Sequence, residues 1–184
     1  GGKVRVWSAA TLRELHTLDI KSVLDADEHV TVKTIAFSPQ SGTLAASTWE
    51  RKEITVWDVA SGRHQKTVEG TEIVTALAFG ANGDTIVAAT KNGTIQVWNY
   101  DQAELTTTLK AHDAEIRQLV RNRDGTSFAT ATDEDVKVWD PTRWSELVAV
   151  HDQTRLSAVA FHPDGKQLAS AHSDGSIRLW SLRD

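Results

Sequence analysis

Residues 161–180 read FHPDGKQLASAHSDGSIRLW. Phe161 closes an apolar run, Ala158-Val159-Ala160-Phe161, and Pro163-Asp164-Gly165 turns the chain. A strand of small residues follows, Leu168-Ala169-Ser170-Ala171, and a second turn at Asp174-Gly175 leads into Ile177-Arg178-Leu179-Trp180. Glycine supplies the positive φ that tight turns require, and Asp-Gly is a strong hairpin signal. Alternation of apolar and polar residues is the mark of a half-buried strand. The stretch therefore predicts three antiparallel strands joined by two short turns.

The same order recurs outward along the chain. Trp57, Trp98, Trp139 and Trp180 stand 41 residues apart, and Trp7 lies 50 before Trp57. Each ends an alternating run, such as Ile54-Thr55-Val56-Trp57 or Val136-Lys137-Val138-Trp139. A small-residue strand precedes each of the last four, with Ala46, Ala88, Thr130 and Ser170 within them. A more polar fourth strand closes each unit, for example residues 63–68 and 103–109. One four-stranded sheet cannot bury both faces by itself, so neighbouring sheets must stack; a period near 40 residues points to radial stacking, a β-propeller. A β-sandwich satisfies the strand spacing but gives no reason for the recurrence.

With 184 residues the chain is long enough for a sizeable core. A formal net charge of −5 without any run of Lys or Arg excludes a general nucleic-acid binder. There is no cysteine, which excludes disulfides, zinc thiolate sites and thiol catalysis, and is compatible with the cytoplasm, the nucleus remaining open. No apolar run reaches the roughly 18–20 residues of a membrane-spanning helix, so no membrane partner is expected. No metal and no cofactor are expected either. His162 and His172 fall at opposite ends of their strands, Asp133-Glu134-Asp135 lacks the glycine and distal Glu of a calcium loop, and Gly70, Gly80 and Gly83 lack the spacing of a phosphate loop. Asn92-Gly93-Thr94 reads as a hairpin turn rather than a glycosylation site.

The recurrence resembles the WD40-repeat family, in the last unit above all and with the Trp-Asp dipeptide itself at Trp57-Asp58 and Trp139-Asp140. The resemblance implies an all-β fold, a WD40-type propeller forming a partial ring of four-stranded antiparallel blades. Its units fall at residues 1–28 (a half blade), 29–69, 70–110, 111–150 and 151–184, the last lacking its outer strand. It also implies a buried hydrogen-bonded tetrad per blade. Carried over, this is His151, Ser170, Asp174 and Trp180 in the last unit, and His112, Thr130, Asp133 and Trp139 in the one before, with Asp135 competing for the acidic place. The unit at 70–110 has Thr71, Ala88 and Asn92 in these places, and the unit at 29–69 has Ala46 and a weak His29. The two C-terminal blades are therefore expected to be the stiffer pair.

Ser170, His151 and Asp174 also invite a nucleophile-base-acid reading. Ser170 lies in an alanine-flanked inner strand rather than on an exposed elbow, and a similar set recurs one period earlier, so the residues read as framework and no catalytic residue is expected. Function then falls to the loops. The resemblance puts one face of the disc at the loop entering each inner strand and the turn before each Trp strand. That face collects Lys33, Trp49, Lys91, Glu115, Arg117, Arg155 and Ser173. Trp49 sits in an inserted polar turn, and Trp and Arg are enriched among interface hot spots. The expected function is a non-catalytic scaffold or adaptor for protein or peptide partners. The alternative is a regulatory or targeting domain of a larger enzyme, a kinase or NTPase, with catalysis outside this chain. A ring left incomplete would also pair with its missing part or with a second copy.

Overall fold

A computed structural model describes residues 2–25, 30–40, 42–49 and 51–182. Its strands form five separate antiparallel sheets in chain order. The first is a pair, β1 (Lys3–Trp7) and β2 (Glu14–Asp19). Three four-stranded meanders follow: β3 (Val32–Phe37) to β6 (His64–Glu69) through β4 (Thr43–Thr48) and β5 (Glu53–Asp58); β7 (Val74–Phe79) to β10 (Glu104–Lys110) through β8 (Thr85–Thr90) and β9 (Thr94–Asn99); and β11 (Gln118–Arg121) to β14 (Ser145–His151) through β12 (Phe128–Ala131) and β13 (Asp135–Asp140). The last sheet has three strands, β15 (Leu156–Phe161), β16 (Gln167–His172) and β17 (Ile177–Ser181). Consecutive inner strands β3, β7, β11 and β15 pack on one another, so the sheets fan out from a common axis as blades of a partial propeller. The ring does not close.

Four hydrophobic clusters fill the four gaps between adjacent sheets. The small-residue strands make this work. Ala45 belongs to the gap on one side of its sheet and Ala46 to the gap on the other, because side chains alternate along a strand. Each tryptophan fills the gap toward the preceding sheet: Trp57 packs with Val4 and Leu18, Trp98 with Ile54 and Val56, Trp139 with Val87 and Ile95. The sheet from β7 to β10 has a neighbour on both sides, and β7 is buried along its whole length. The last sheet has one neighbour, and Ile177 and Leu179 are correspondingly 73% and 71% exposed.

Side chains also staple one blade to the next. Gln118 Nε2 donates to the Ser157 carbonyl at 2.7 Å while its Oε1 accepts the Val159 N–H at 2.9 Å. At the turn five residues beyond each Trp the backbone takes a left-handed conformation: Leu12 (φ 53°), Gly62 (φ 68°), Ala103 (φ 53°) and Trp144 (φ 51°). Only Gly62 adopts it without strain, and it is doubly fixed, since a Cβ there would stand 2.6 Å from the His16 ring. Trp144 lies against Phe128 with ring centroids 5.7 Å apart, so aromatic contact offsets its backbone strain. One element departs from the all-β expectation. A four-residue helix, α1 (Ile20–Val23), follows β2, with the Asp19 carboxylate accepting the Ser22 N–H at 3.3 Å and Ile20 fully buried.

Candidate functional site: buried polar groups and the loop face

Strand register fixes which residues are equivalent. Ala46, Ala88, Thr130 and Ser170 each pair with the middle of their inner strand, at Ile35, Leu77, Leu119 and Val159. Around Thr130 the indole Nε1–H of Trp139 donates to Oγ1 at 2.8 Å, and His112 Nε2 lies 2.7 Å from the same oxygen. An indole nitrogen can only donate, so Thr130 Oγ1 accepts from Trp139, while the His112 tautomer sets which partner donates in the second bond. Burial pushes the His112 pKa down to about 4, and Lys137 adds to the shift. Asp133 takes no part. It stands three residues after Thr130, where the other blades place Trp49, Lys91 and Ser173, and that position belongs to the surface turn. There its Oδ1 lies 2.9 Å from Arg117 Nε and 3.1 Å from Arg155 Nε. Asp135 does not reach His112 either; it pairs with His151 Nδ1 at 2.8 Å. His112 Nδ1 is buried without a partner among the described residues.

The last blade is corrected in two members. Trp180 Nε1–H donates to Ser170 Oγ at 2.8 Å, but the imidazole on that oxygen is His172, with Nε2 at 2.8 Å. His151 is an exposed residue of β14. The reason is one extra residue in the loop before β15. His112 lies seven residues before Leu119, and seven before Val159 is Asp152, one place beyond His151. His172 is two residues after Ser170 on the same strand face, where the other blades carry Thr48, Thr90 and Thr132. The strand period of two is the sequence signal that could have found it. Asp174 stays at the surface. Hydrogen bonds from Ser176 hold its carboxyl below the usual range, and its Oδ2 lies 3.4 Å from Arg178 Nη2. Arg178 in turn is ion-paired with the buried Asp152, another pairing that the repeat pattern does not reveal.

In the earlier blades the hydroxyl is missing. Ala46 and Ala88 offer no acceptor, and Trp57 Nε1 and Trp98 Nε1 are buried without partners among the described residues. Gln96, fully buried across from Ala88, donates to Thr71 Oγ1 instead. His29 lies outside the described residues.

The loop face is built by one repeated backbone bond. In three of the four sheets the N–H of the residue after the small-residue strand donates to the carbonyl of a residue entering the inner strand: Trp49 to Thr31, Lys91 to Ile73 and Ser173 to Arg155, each at 2.9 Å. That bond puts the two loops of a blade side by side. As a result Lys33, Trp49, Lys91 and Glu115, drawn from three consecutive sheets, line one cavity of about 110 Å³ with Ile73, Val74 and Thr75. Lys33 Nζ sits 3.4 Å from the centroid of the Trp49 ring, which is itself 52% exposed. Arg117 lines a groove that continues from Trp49 and Lys33 along the inner strands. Arg155 and Ser173 belong to the same face but lie outside both linings. Among the described residues no cluster of His, Asp and Glu has the arrangement of a metal site.

The sequence matches the family described as WD domain, G-beta repeat, over residues 62–99, 103–140 and 146–181. Each matched segment runs from the outer strand of one sheet through the three inner strands of the next, so the repeat straddles two blades and ties them covalently. Similar curated proteins include the WD repeat-containing protein SL1-17 of Schistosoma mansoni, 29% identical over 146 residues that cover 78% of this chain and 48% of that protein. Pre-mRNA-processing factor 19 of Bos taurus is 25% identical over 138 residues, 72% of this chain and 27% of its own length. Small ribosomal subunit protein RACK1 of Brassica napus is 28% identical over 151 residues, 82% of this chain and 39% of its own. The chain spans less than half the length of each of these relatives.

Proposed function

This chain belongs to the WD40-repeat family, and on that premise we propose that it is a non-catalytic scaffold that docks protein or peptide partners on its loop face in the cytoplasm. WD40 repeats are in general interaction modules, and the observation that carries the reading here is the convergence of Trp49, Lys33, Lys91 and Glu115 on one cavity. An exposed aromatic ring stiffened by a stacked cation is the kind of anchor on which interface energy concentrates. The buried hydroxyls support the same reading. Ser170 is 1% exposed and its Oγ is already engaged by Trp180 and His172, so no substrate reaches it from solvent. The excess of acidic residues and the lack of a basic run argue against nucleic acid as the partner.

The test is affinity capture with the full chain immobilised, compared with Trp49→Ala and with Lys91→Glu. Both residues are exposed, so the variants should keep the parent's melting curve. Proteins captured by the parent should be lost from both. An identical captured set from parent and variants would remove the loop face as the docking surface.

A further inference from the structure

The chemistry of the cavity narrows the partner, a step that rests on the loop-face reading above. Among the described residues, three cations, Lys33, Lys91 and Arg117, and one carboxylate, Glu115, line the cavity and the groove that continues it. They do so on a chain whose formal charge is −5, so the described lining of the cavity and groove carries positive charge against the trend of the whole molecule. The cations also differ in how they are held. Arg117 already shares Asp133 with Arg155, whereas Lys91 has no ion pair among the described residues. Lys33 is stacked on Trp49, which holds its ammonium in the cavity lining without neutralising it.

Apart from these charged groups the lining is mostly apolar. Val74 is fully buried, and Ile73, Thr75 and Trp49 complete a cavity of about 110 Å³. That is smaller than the ~150 Å³ apolar cavity that admits a benzene ring. It suits one branched aliphatic side chain. We propose that the loop face takes an extended peptide segment in which a Leu, Ile or Val fills this cavity and a neighbouring Asp or Glu is held by Lys33 and Lys91. The aliphatic group supplies the buried contact, and the carboxylate supplies direction and speed of association, since rim charges act mainly on the approach of the partner. A basic segment would meet two unneutralised ammonium groups and is disfavoured.

The experiment is selection from a display library of random short peptides on the full immobilised chain. Enriched peptides are then synthesised and titrated against the parent and against Trp49→Ala, Lys33→Glu and Lys91→Glu. The expected result is enrichment of an acidic residue within two positions of Leu, Ile or Val. Affinity should fall about tenfold for each charge reversal and fall further for Trp49→Ala, with a marked weakening as salt is raised. Two results overturn the proposal and are distinguishable. Peptides that depend on Trp49 but are basic or uncharged would leave the loop face as the docking surface and sink the acidic chemistry. Enriched peptides whose affinity is unchanged in all three variants, or no enrichment at all, would sink both. Unchanged melting curves for the variants keep misfolding from imitating either outcome.

Discussion

The two inner blades of the N-terminal half and the two blades that follow them solve one packing problem in different ways. All four set a tryptophan against the preceding sheet, buried in the first three and partly buried at Trp180. In the C-terminal pair its indole N–H is received by a hydroxyl, on Thr130 and on Ser170, and an imidazole sits on that same oxygen. In the earlier pair Ala46 and Ala88 stand at the receiving position, and the indole nitrogens of Trp57 and Trp98 have no partner among the described residues. Yet the sheet from β7 to β10 is the most thoroughly buried of the four, while the last sheet, with its polar set made, leaves one face open. Polar locking and apolar enclosure are thus separate sources of order. A blade enclosed on both sides tolerates an unmade hydrogen bond, and a blade exposed on one side relies more on the bonds it makes.

The comparison breaks most visibly at Thr130. Thr130→Val keeps the shape but leaves both the Trp139 indole and the His112 ring without their oxygen, and should cost about 3 kcal/mol in urea unfolding. Ala88→Val, at the equivalent place, strands no polar group and should cost only what overpacking imposes, about 1 kcal/mol. Equal losses would mean that the hydroxyl has no special role.

Acid gives a second contrast of similar size. His112 titrates near 4 when folded and near 6.5 when unfolded. The unfolded chain therefore binds the proton first as pH falls. The stability contributed by the neutral ring is fully present above about pH 6.5 and is lost progressively down to about pH 4, roughly 3 kcal/mol in all. Urea midpoints of the parent and His112→Gln across this range should converge toward low pH. A constant gap between them would contradict the burial argument.

A finer probe compares two conservative truncations. Trp139→Phe loses a made hydrogen bond and frees an acceptor, whereas Trp98→Phe removes a donor that had no partner. With similar losses of ring area, Trp139→Phe should be the more damaging by about 1–2 kcal/mol. The smallest effect lies outside the comparison and calibrates it. Ala103 is exposed at φ 53°, the place where another blade has Gly62, and Ala103→Gly should stabilise by about 0.5–1 kcal/mol in the same unfolding assay. Any loss there would show that the left-handed turn is not strained.

Much of the framework was legible because its signals are local and repeated. The Trp period, the Asp-Gly and Asn-Gly turns and the alternation of β5, β9, β13 and β17 each restrict the backbone within a few residues, and repetition removes the ambiguity of any single strand. The shared side of Lys33, Trp49, Lys91 and Glu115 was legible for the same reason, since turns before Trp strands share one side of a stack. The polar partners were not. Counting along the chain put His151 beside Ser170, but a single inserted residue before β15 moved it out to Asp135 and left His172 to turn inward. Asp133 resembles a buried acid of the repeat, but its place three residues beyond Thr130 belongs to the surface turn, where it meets Arg117 and Arg155.

The amino-acid order by itself determined that the chain folds as repeated four-stranded sheets around an axis, because hydrophobic alternation and turn chemistry act over distances shorter than one blade. Which imidazole meets which hydroxyl, and which lysines gather round Trp49, was decided only by tertiary structure. Those contacts join residues of different strands and blades, and a shift of one position in a loop rotates a side chain from the core to the solvent while leaving the repeat pattern unchanged.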